Sequence, residues 1–590
     1  MKNKQITLKT IYNLVLDKKP SLIYGQIITL LAILVSVPIP LMLPIMVDEV
    51  LLHKPSYFVH TIDALFGDGS AFYYIAVVAL SVIVLRFIYY ILGVITTKVF
   101  TKISKYVTFM IRKQTIKHLQ NASMNEYETL GSGAITANLI TDINTLDSFI
   151  MGSASKFVAS ALTLIAVGIV LISINPILGI LILIIQPAIM LISKKMSTHV
   201  GELKKEENEA IADFQDGIGE TLELYGQIKA SNKEEYFFDK AVTQAQTIQN
   251  TSNEYNYKSV AYEKLSYTIF LSVFEVIRAA GLLLVAYSDL SIGMMFAMFG
   301  YIWFIMTPVQ DMLSMQYSYS SALAALKRIN KVLDLKSEVS GGETLHDNSL
   351  DISIKNLNFS YASSEKQILH DISLDIKSGS KIALIGASGS GKTTLAQIIS
   401  GFYEKSSGEI LYNNMPTEKL DKHSLREFIF LVLQMPILFN NTLRFNITMG
   451  EEDISDEDVF IALEVAQLSE MVKNMKDGLD TIVGHHGIRL SGGQRQRLSI
   501  ARMMLSYPSI IIFDESTSAL DVHTEAKLFN TLTPLLKEKT VITIAHRLST
   551  VKNAEMIYVL HEGRIVQRGT HKELEEEEGH YNEFVKQQLI

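Results

Sequence analysis

The stretch IALIGASGSGKTTLAQIIS, residues 382–400, decides the fold of the second half of the chain. An apolar run leads into a glycine-rich turn, and a second apolar run follows it, which is the order strand, G-x-x-x-x-G-K-T, helix that a P-loop requires. Gly386, Gly389 and Gly391 allow a tight turn that brings backbone N–H groups close to phosphate. Lys392 is placed to reach the β- and γ-phosphate oxygens, and the Thr393 hydroxyl is placed to ligate Mg²⁺. The stretch therefore predicts a site for ATP with Mg²⁺, whose remaining loop residues are Ala387, Ser388, Ser390 and Thr394.

A second strand ends in acidic residues, in PSIIIFDESTSALD at 508–521. An acidic pair after an apolar strand is commonplace at solvated strand ends, but the P-loop earlier in the chain favours a chemical role. Asp514 suits Mg²⁺, held through its water shell, and Glu515 suits a base that accepts a proton from an attacking water. His546, at the end of the strand-like VITIA, is expected at the same sheet edge, in contact with the γ-phosphate. A lone histidine there is more often structural.

The segment RLSGGQRQRLSIARMML, residues 489–505, predicts another anion-binding turn. Its Ser-Gly-Gly sequence opens a helix, where free N–H groups and the helix dipole attract phosphate. The expected ligands are Ser491, Gly492, Gly493 and Gln494. One nucleotide does not need two such turns so far apart in one chain. The sequence therefore raises the question of which nucleotide each turn binds.

The first half of the chain is built from long uncharged runs. The whole sequence is 48% hydrophobic and 19% charged, which is apolar-rich for a soluble protein. Pro20–Val47 has no charge and is long enough to cross a bilayer, whereas Phe157–Ser193 is too long for one span and is divided by Asn175-Pro176. We predict six spans, at about 22–47, 69–97, 150–174, 177–196, 263–288 and 290–312.

The basic residues in the flanks orient these spans. Lys and Arg concentrate before the first span, between the second and third, and between the fourth and fifth, which places these segments and both termini in the cytosol. The two long inner segments are polar and poor in Pro and Gly, so we expect them to be helical extensions of the spans. The predicted domains are a transmembrane domain at 1–330, a linker at 331–350 and an ATPase domain at 351–590.

Composition excludes several classes of function. The chain has no cysteine, which rules out disulfides, thiolate metal sites and a cysteine nucleophile. The formal net charge is −8, so there is no basic surface of the kind that binds nucleic acid, and no nucleic-acid partner is expected.

The motifs GASGSGKT, LSGGQ, IIIFDE and SALD and the following histidine occur in an order and spacing that resemble those of the ATP-binding-cassette (ABC) transporters. The resemblance is to exporter-type half-transporters and covers nearly the whole chain. It implies a multi-domain protein, with an all-α six-helix transmembrane domain followed by an α/β P-loop ATPase domain. It also implies ATP-driven export of a hydrophobic or amphipathic substrate, whether lipid, drug or peptide.

The resemblance assigns roles to further residues. Tyr361 matches the aromatic residue that stacks on adenine, and Gln434 matches the glutamine that touches Mg²⁺ and senses the membrane domain. The loop from Ser518 to Asp521 matches the loop that crosses to a partner cassette.

Three further positions concern communication with the membrane domain. The segments around Tyr127–Gly131 and Gln215–Leu224 look like the first and second coupling helices of the family. The family's T-x-V-G-E before the signature reads Thr481-Ile-Val-Gly484-His485 here, so His485 or His486 replaces the acidic residue that contacts those helices.

The family arrangement answers the question of the two turns. Two cassettes face head to tail, and each nucleotide lies between the P-loop of one chain and the LSGGQ turn of the other. A second half-transporter chain is therefore required. Because Lys392, Glu515 and Ser491 are all intact, we expect a homodimer, although a heterodimer partner with degenerate motifs stays open. The expected location is the bacterial cytoplasmic membrane.

Two alternatives to a solute exporter stay open, an ATP-gated channel or regulator on the same scaffold and a lipid flippase. A soluble cassette ATPase does not need the uncharged spans. Arg86, Glu275 and Arg278 are the clearest charges within the membrane runs. Such charges face the bundle interior or a water-filled cavity, so the three either fix helix packing or line the transport path.

Overall fold

The computed structural model describes residues 5–54, 57–338, 342–346, 349–362, 366–484, 489–545 and 548–589. The chain forms two compact units. The first unit consists of Met1–Gln114 and Ala137–Asn330, and the second of Thr115–Thr136 and Lys331–Ile590. A segment of the predicted transmembrane domain, 115–136, thus belongs to the second unit.

The first unit begins with helices Leu8–Leu16 and Lys19–Ser36. The chain then leaves regular α-helical geometry and passes through a 3₁₀ turn, Ile39–Leu41, one short α-helical turn, Met42–Pro44, and a π-helical stretch, Ile45–Leu51. Prolines 38, 40 and 44 explain this irregularity, because each lacks an N–H donor and its ring clashes with the preceding turn. Helix Tyr57–Phe66 follows.

Long helices dominate the rest of the first unit. They are Ala71–Leu119, Pro176–Glu223, Glu234–Tyr287 and Ile292–Leu333, with 49, 48, 54 and 42 residues. At 1.5 Å per residue they run roughly 60–80 Å, about twice the thickness of a bilayer's hydrocarbon core. They are therefore long enough to cross a membrane and continue well beyond it.

Shorter helical segments connect them. These are Ser132–Ala137, the π-helical Asn138–Asp142, Ile143–Met151, the π-helical Gly152–Phe157, Val158–Ile174 and the short helix Tyr225–Ala230. The helical hairpin at Asn175 turns tightly, since the Asn175 side chain accepts a hydrogen bond from the Leu178 N–H at 3.0 Å and Pro176 begins the next helix. Gly179 is required there, because a Cβ would lie 2.7 Å from the Leu171 carbonyl oxygen.

Within the described residues, four helical runs are long and apolar enough to cross a membrane: Lys19–Leu51, Ala71–Leu119, Glu234–Tyr287 and Ile292–Leu333. Val158–Ile174 and Pro176–Ile189 are shorter apolar stretches on either side of the Asn175 turn. Buried apolar residues from these elements, including Ile33, Leu171, Ile182 and Tyr301, form one core of the first unit.

Two sheets form the second unit. Strands β1 (Ile352–Ser360), β2 (Gln367–Ile376), β4 (Ser407–Tyr412) and β5 (Met415–Pro416) make an antiparallel sheet in the order β2-β1-β4-β5. Strands β3 (Lys381–Gly386), β6 (Ile429–Val432), β7 (Ile510–Asp514), β8 (Thr540–Ile544), β9 (Met556–His561) and β10 (Arg564–Gly569) make a second sheet in the order β10-β9-β3-β8-β7-β6.

The second sheet brings the motifs to one edge. Within this sheet the pairs β3–β8, β7–β8, β3–β9 and β6–β7 are parallel, and the described β9–β10 pair is antiparallel. Parallel strands carry their carboxyl ends at the same edge, where ligands of open α/β sheets bind. Gly386 at the end of β3 and Asp514 at the end of β7 therefore lie at one edge, with only β8 between their strands.

Helices cover these sheets and complete the α/β fold predicted for this half. They are Lys392–Ile399, Lys422–Phe428, Leu443–Thr448, Asp456–Val465, Ser469–Lys473, Gly492–Ser506, Val522–Leu535, Leu548–Val551, His571–Glu576 and His580–Leu589, with 3₁₀ turns Thr417–Lys419 and Gly478–Asp480. The main core lies between them and the strands, and includes Leu357, Phe359, Leu384, Leu395 and Ile542.

The segment 115–136 joins the second unit through its backbone. Ala122 forms a β-bridge with Ser337, the Ser123 N–H donates to the Lys336 carbonyl at 2.9 Å, and the Glu338 N–H donates to the Asn121 carbonyl at 2.8 Å. The short helix Met124–Leu130 follows and ends at Gly131, which covers the Tyr127–Gly131 segment picked out in the sequence.

The other predicted coupling segment lies at the end of a long helix. Gln215–Leu224 forms the last turns of the long helix Pro176–Glu223 and its C-cap, and the separate short helix is Tyr225–Ala230. The coupling role predicted for Gln215–Leu224 stays a prediction.

Candidate nucleotide site

The P-loop is shaped by glycines in conformations that other residues rarely adopt. Gly389 has φ +79° and Gly391, the N-cap of helix Lys392–Ile399, has φ +97°. A Cβ at Gly391 would lie 2.6 Å from Leu369 Cδ2, and one at Gly386 would lie 2.1 Å from the Leu560 carbonyl oxygen. These positions accept only glycine, so the loop wraps tightly around the helix N-terminus, where anions are favoured.

Lys392 lies at the centre of this loop and is 5% exposed. Its Nζ donates to the carbonyl oxygens of Gly386 and Ala387, each at 2.9 Å. An ammonium has three N–H donors, so one is left for a phosphate oxygen. Burial lowers the pKa of Lys392 from its ordinary value, and the carboxylates of Glu515 and Asp514 act in the opposite direction. A bound phosphate would add to the charges that keep this lysine protonated.

The hydroxyl of Thr393 and the carboxylate of Asp514 meet at the sheet edge. Thr393 Oγ1 donates to Asp514 Oδ1 at 3.1 Å, and Asp514 is 2% exposed. The oxygens of a hydroxyl and a carboxylate are the ligands that Mg²⁺ prefers. Two of the three residues predicted for the metal, Thr393 and Asp514, thus adjoin one another across 121 positions of sequence.

Glu515 follows Asp514 and is held by the predicted glutamine. Gln434 Nε2 donates to Glu515 Oε2 at 2.6 Å. Glu515 has φ +46°, the left-handed region that a residue with a Cβ adopts only at a cost, and such strain concentrates at functional sites.

The signature turn forms a capping box. Ser491 is the N-cap of helix Gly492–Ser506, its hydroxyl accepts from the Gln494 N–H at 3.2 Å, and the Gln494 side chain accepts from the Ser491 N–H at 2.8 Å. Within the described part of the chain, none of these side-chain bonds reaches the P-loop. A Cβ at Gly493 would lie 3.0 Å from the Ala519 carbonyl, so Gly493 lets the turn approach the 518–521 loop.

The loop from Ser518 to Asp521 ends in a second cap. Asp521 is the N-cap of helix Val522–Leu535, and its carboxylate accepts from the Thr524 N–H at 2.9 Å. This N–H group lowers the pKa of the Asp521 carboxyl. The carboxylate therefore stays ionised and holds the loop at the start of the helix.

Gln496, which the sequence did not single out, bonds to residues of two loops of the site. Gln496 is 4% exposed. Its Nε2 donates to the Gln434 carbonyl at 3.0 Å and to Ser518 Oγ at 3.3 Å, while its Oε1 accepts from the Ala519 N–H at 3.1 Å. The signal in the sequence was a second glutamine in the signature helix, two residues after Gln494, on a helix that must bury one face.

Tyr361 is half-buried beside the P-loop helix. Its hydroxyl shares a hydrogen bond with Thr394 Oγ1 at 2.9 Å, and its ring meets Phe359 and Tyr403 edge-on, with centroids 4.9 and 5.3 Å away. The ring is thus held in place at the edge of the site. His546 and the pair His485 and His486 lie outside the described residues, so their predicted roles stay predictions.

Comparisons with known proteins agree with this arrangement. Residues 369–518 match the family model described as ABC transporter, and residues 38–309 match the model for the ABC transporter transmembrane region. The ATP-dependent lipid A-core flippase of Legionella pneumophila (strain Paris) is 31% identical over 497 residues, 83% of this chain and 83% of that protein.

The chain belongs to the ABC transporter family. The transporter is also similar to a Bacillus subtilis (strain 168) protein whose name describes multidrug export, with 28% identity over 80% of this chain and 82% of that protein. A bacterial Atm1-family ABC exporter solved with ATP bound shares the fold, with a TM-score of 0.79, 23% identity and coverage of 97% of this chain and 98% of that chain. The predicted fold class, ATP binding, ATPase activity and ATP-driven export are confirmed, and the transporter is an integral membrane protein.

Proposed function

We propose that two copies of this chain form an exporter, with each ATP held between the P-loop of one copy and the Ser491–Gln494 turn of the other. The observation that supports two copies is that the side chains of Ser491 and Gln494 bond only within their own turn among the described residues. A helix N-terminus favours an anion, and in the described residues no side chain of this turn bonds to its own P-loop. Because Lys392, Glu515 and Ser491 are present, each copy supplies both halves of a site, which favours a homodimer.

The hydrogen bond from Gln434 to Glu515 supports a catalytic role for Glu515. Glu515 orients an attacking water and takes its proton, while Lys392 and the P-loop N–H groups hold the phosphates. His546 contacts the γ-phosphate and Tyr361 stacks on adenine. Gly386–Thr394, Ser491–Gln494 and Asp521 complete the contacts to nucleotide.

The residues around Asp514 fit a magnesium ion. Thr393, Gln434 and Asp514 would hold it, and the ion would neutralise charge on the phosphates. Among the described residues there is no group of three or more His, Cys, Asp or Glu that would suit a metal held by protein alone. This supports Mg²⁺, which keeps several waters and takes few protein ligands.

The substrate is hydrophobic or amphipathic, and a lipid is the first candidate. A cavity of about 640 Å³ in the first unit supports this choice. It is lined mainly by apolar side chains from the irregular first span and from the second and last spans, among them Met42, Met46, Tyr89, Trp303 and Phe304. Arg86 is its charged residue and has no hydrogen-bond or ion-pair partner within the described chain.

Arg86 differs from Glu275 and Arg278 in having no ion-pair partner among the described residues. Arg278 Nη2 lies 2.6 Å from Glu275 Oε2, so these two neutralise each other on one helix face. Arg86 is uncompensated, and an uncompensated charge at membrane depth is costly unless water or an anion meets it. We infer that Arg86 meets the anionic headgroup of an amphipathic lipid.

The transporter lies in the bacterial cytoplasmic membrane with both termini in the cytosol. The basic segments that flank the spans support this orientation. Names of relatives, lipid A-core flippase and multidrug export, support a lipid or drug-like cargo.

The test is a flipping assay in proteoliposomes of phosphatidylethanolamine and phosphatidylglycerol. Fluorescent phosphatidylglycerol and fluorescent phosphatidylcholine are compared by dithionite quenching, with and without MgATP. We expect ATP-dependent movement of the anionic lipid, and Arg86→Gln to reduce it about tenfold or more while sparing the zwitterionic lipid. Glu275→Gln is the matched control within the membrane runs. Hydrolysis of ATP without movement of either lipid would contradict the lipid assignment.

A further inference from the structure

Tyr403 connects the short helix Met124–Leu130 to the nucleotide site. Its hydroxyl donates to both carboxylate oxygens of Glu128, each at 2.8 Å, and the tyrosine is 5% exposed. Both residues belong to the second unit. A buried hydroxyl shared between two oxygens of a carboxylate is a charge-assisted bond, roughly twice as strong as a neutral one.

The other end of Tyr403 faces the residue expected to stack on adenine. The rings of Tyr403 and Tyr361 meet at 89° with centroids 5.3 Å apart, which is a favourable edge-to-face contact. Tyr361 in turn bonds Thr394 in the P-loop helix at 2.9 Å. The ring of Tyr403 is therefore packed against the nucleotide side, while its hydroxyl holds Glu128.

A second link runs beside the first. Asn125 Oδ1 accepts from the N–H of Ala362 at 3.0 Å, and Ala362 directly follows Tyr361. Asn125 and Glu128 are three residues apart and so lie on one face of the helix. That helix has no buried residue of its own, so these two side-chain contacts add to the backbone bonds of Asn121 and Ser123 in fixing its position.

We propose that Tyr403 is a positioning residue, through which a base stacked on Tyr361 orders the Met124–Leu130 helix. The inference rests on the proposed function, since it requires ATP at Tyr361. Stacking on one face of Tyr361 restricts the ring, the restricted ring holds Tyr403 in one rotamer, and the Tyr403 hydroxyl then keeps Glu128 in place. The helix lies between two helical segments that lead into the membrane runs, so the nucleotide base itself takes part in coupling.

The Tyr403 hydroxyl is suited to this role over a wide pH range. Burial, and next the neighbouring Glu128 carboxylate, raise the pKa of Tyr403 above its ordinary value. The hydroxyl therefore remains a donor wherever Glu128 is ionised.

Amide hydrogen exchange of the peptide 121–131 tests the proposal. The full-length chain carries Glu515→Gln so that ATP is held without turnover. In this parent, MgATP is expected to slow exchange in the peptide by about three- to tenfold. Tyr403→Phe keeps the ring and removes the donor, and should leave a smaller effect. Tyr403→Phe with Asn125→Ala should leave less than about a twofold effect, with ATP affinity unchanged within about twofold.

Two further variants make the result specific. Glu128→Ala removes the same bond from the exposed partner and should match Tyr403→Phe, which guards against a defect confined to the tyrosine's packing. Tyr412→Phe is the matched control, because this buried hydroxyl donates to the Ile399 carbonyl at 2.5 Å and makes no contact with the helix. It should keep the full effect of MgATP.

The outcomes distinguish failure of the proposed role of Tyr403 from failure of the proposed ATP site. Full slowing of exchange in the Tyr403→Phe/Asn125→Ala variant, with ATP bound, overturns the coupling role and leaves the proposed function standing. Absence of ATP binding in the parent overturns both. Replacing ATP by tripolyphosphate, which has no base, should bind without slowing exchange; equal slowing by tripolyphosphate overturns the role of the stacked base.

Discussion

The amide of Gln434 donates to the carboxylate of Glu515 across 2.6 Å. The two residues come from adjacent parallel strands, since Gln434 follows β6 and Glu515 follows β7. The bond orients the carboxylate, and the backbone of Glu515 is left-handed, with φ +46°. Gln434 and Glu515 thus lie together at the sheet edge. Substitution of either residue tests whether their bond matters for catalysis.

Replacing Glu515 by Gln removes the carboxylate that accepts a proton and leaves Lys392 and Thr393 in place. ATP hydrolysis should fall by a factor on the order of 10² or more, while MgATP binding is retained. Steady-state phosphate release and binding of a fluorescent ATP analogue measure the two properties. Glu538→Gln, at an exposed residue of the same unit, is the control and should be neutral. Turnover near that of the wild type would rule out Glu515 as the base.

Gln434→Ala should lower kcat by about ten- to a hundredfold, because the carboxylate of Glu515 loses the donor that orients it. The same change removes a proposed Mg²⁺ ligand, so the Mg²⁺ concentration for half-maximal activity should rise. A titration with Mg²⁺ at fixed ATP separates the two effects. An unchanged kcat at saturating Mg²⁺ would show that the bond to Glu515 has no catalytic role.

Mixed dimers test the composite site. Lys392→Ala damages one side of a site and Ser491→Ala the other, so each homodimer should be inactive. A dimer with one chain of each kind has one site with both defects and one intact site, and should recover part of the activity. Two affinity tags and sequential purification isolate the mixed dimer. Failure of that purified dimer to hydrolyse ATP above either homodimer would argue against the head-to-tail arrangement.

Gln496→Leu should destabilise the second unit. The change leaves the Gln434 carbonyl and the Ala519 N–H without their buried partner, which typically costs about 1–3 kcal/mol for each unsatisfied group. We expect a thermal-unfolding midpoint lower by several degrees and a loss of ATPase beyond that explained by unfolding. Gln496→Glu keeps the acceptor for Ala519 but sets a buried carboxylate against the Gln434 carbonyl, and should destabilise the unit at least as much as Gln496→Leu. Wild-type stability in Gln496→Leu would mean that the loops do not depend on this side chain.

Glu275→Gln tests the ion pair within the membrane run. Since Glu275 pairs with Arg278 at 2.6 Å on the same helix, we expect the pair to neutralise two charges within the membrane run, with basal ATPase spared and thermal stability reduced. The profile of compounds that stimulate ATPase should stay the same. A changed profile, most marked for cationic compounds, would instead place the pair in the transport path.

Local features of the sequence determined the nucleotide site and the turns. Glycines 386, 389 and 391 and Lys392 predicted the P-loop because its conformation depends on residues within one turn. Ser491 with Gln494 forms a capping box and Asn175 with Pro176 begins a helix for the same reason. The short apolar run before Asp514 and Glu515 predicted a strand that ends in two acidic residues, and β7 is that strand.

Tertiary structure alone decided which distant residues meet. Gln496 bonds Gln434 and Ser518 across 62 and 22 positions, and Tyr403 bonds Glu128 across 275. Nothing in the local spacing of these residues selects a partner, because a polar side chain bonds whatever the packing of strands and helices brings within about 3 Å. For the same reason, the pairing of Ala122 with Ser337 and the place of 115–136 in the second unit emerge only when the whole chain is folded.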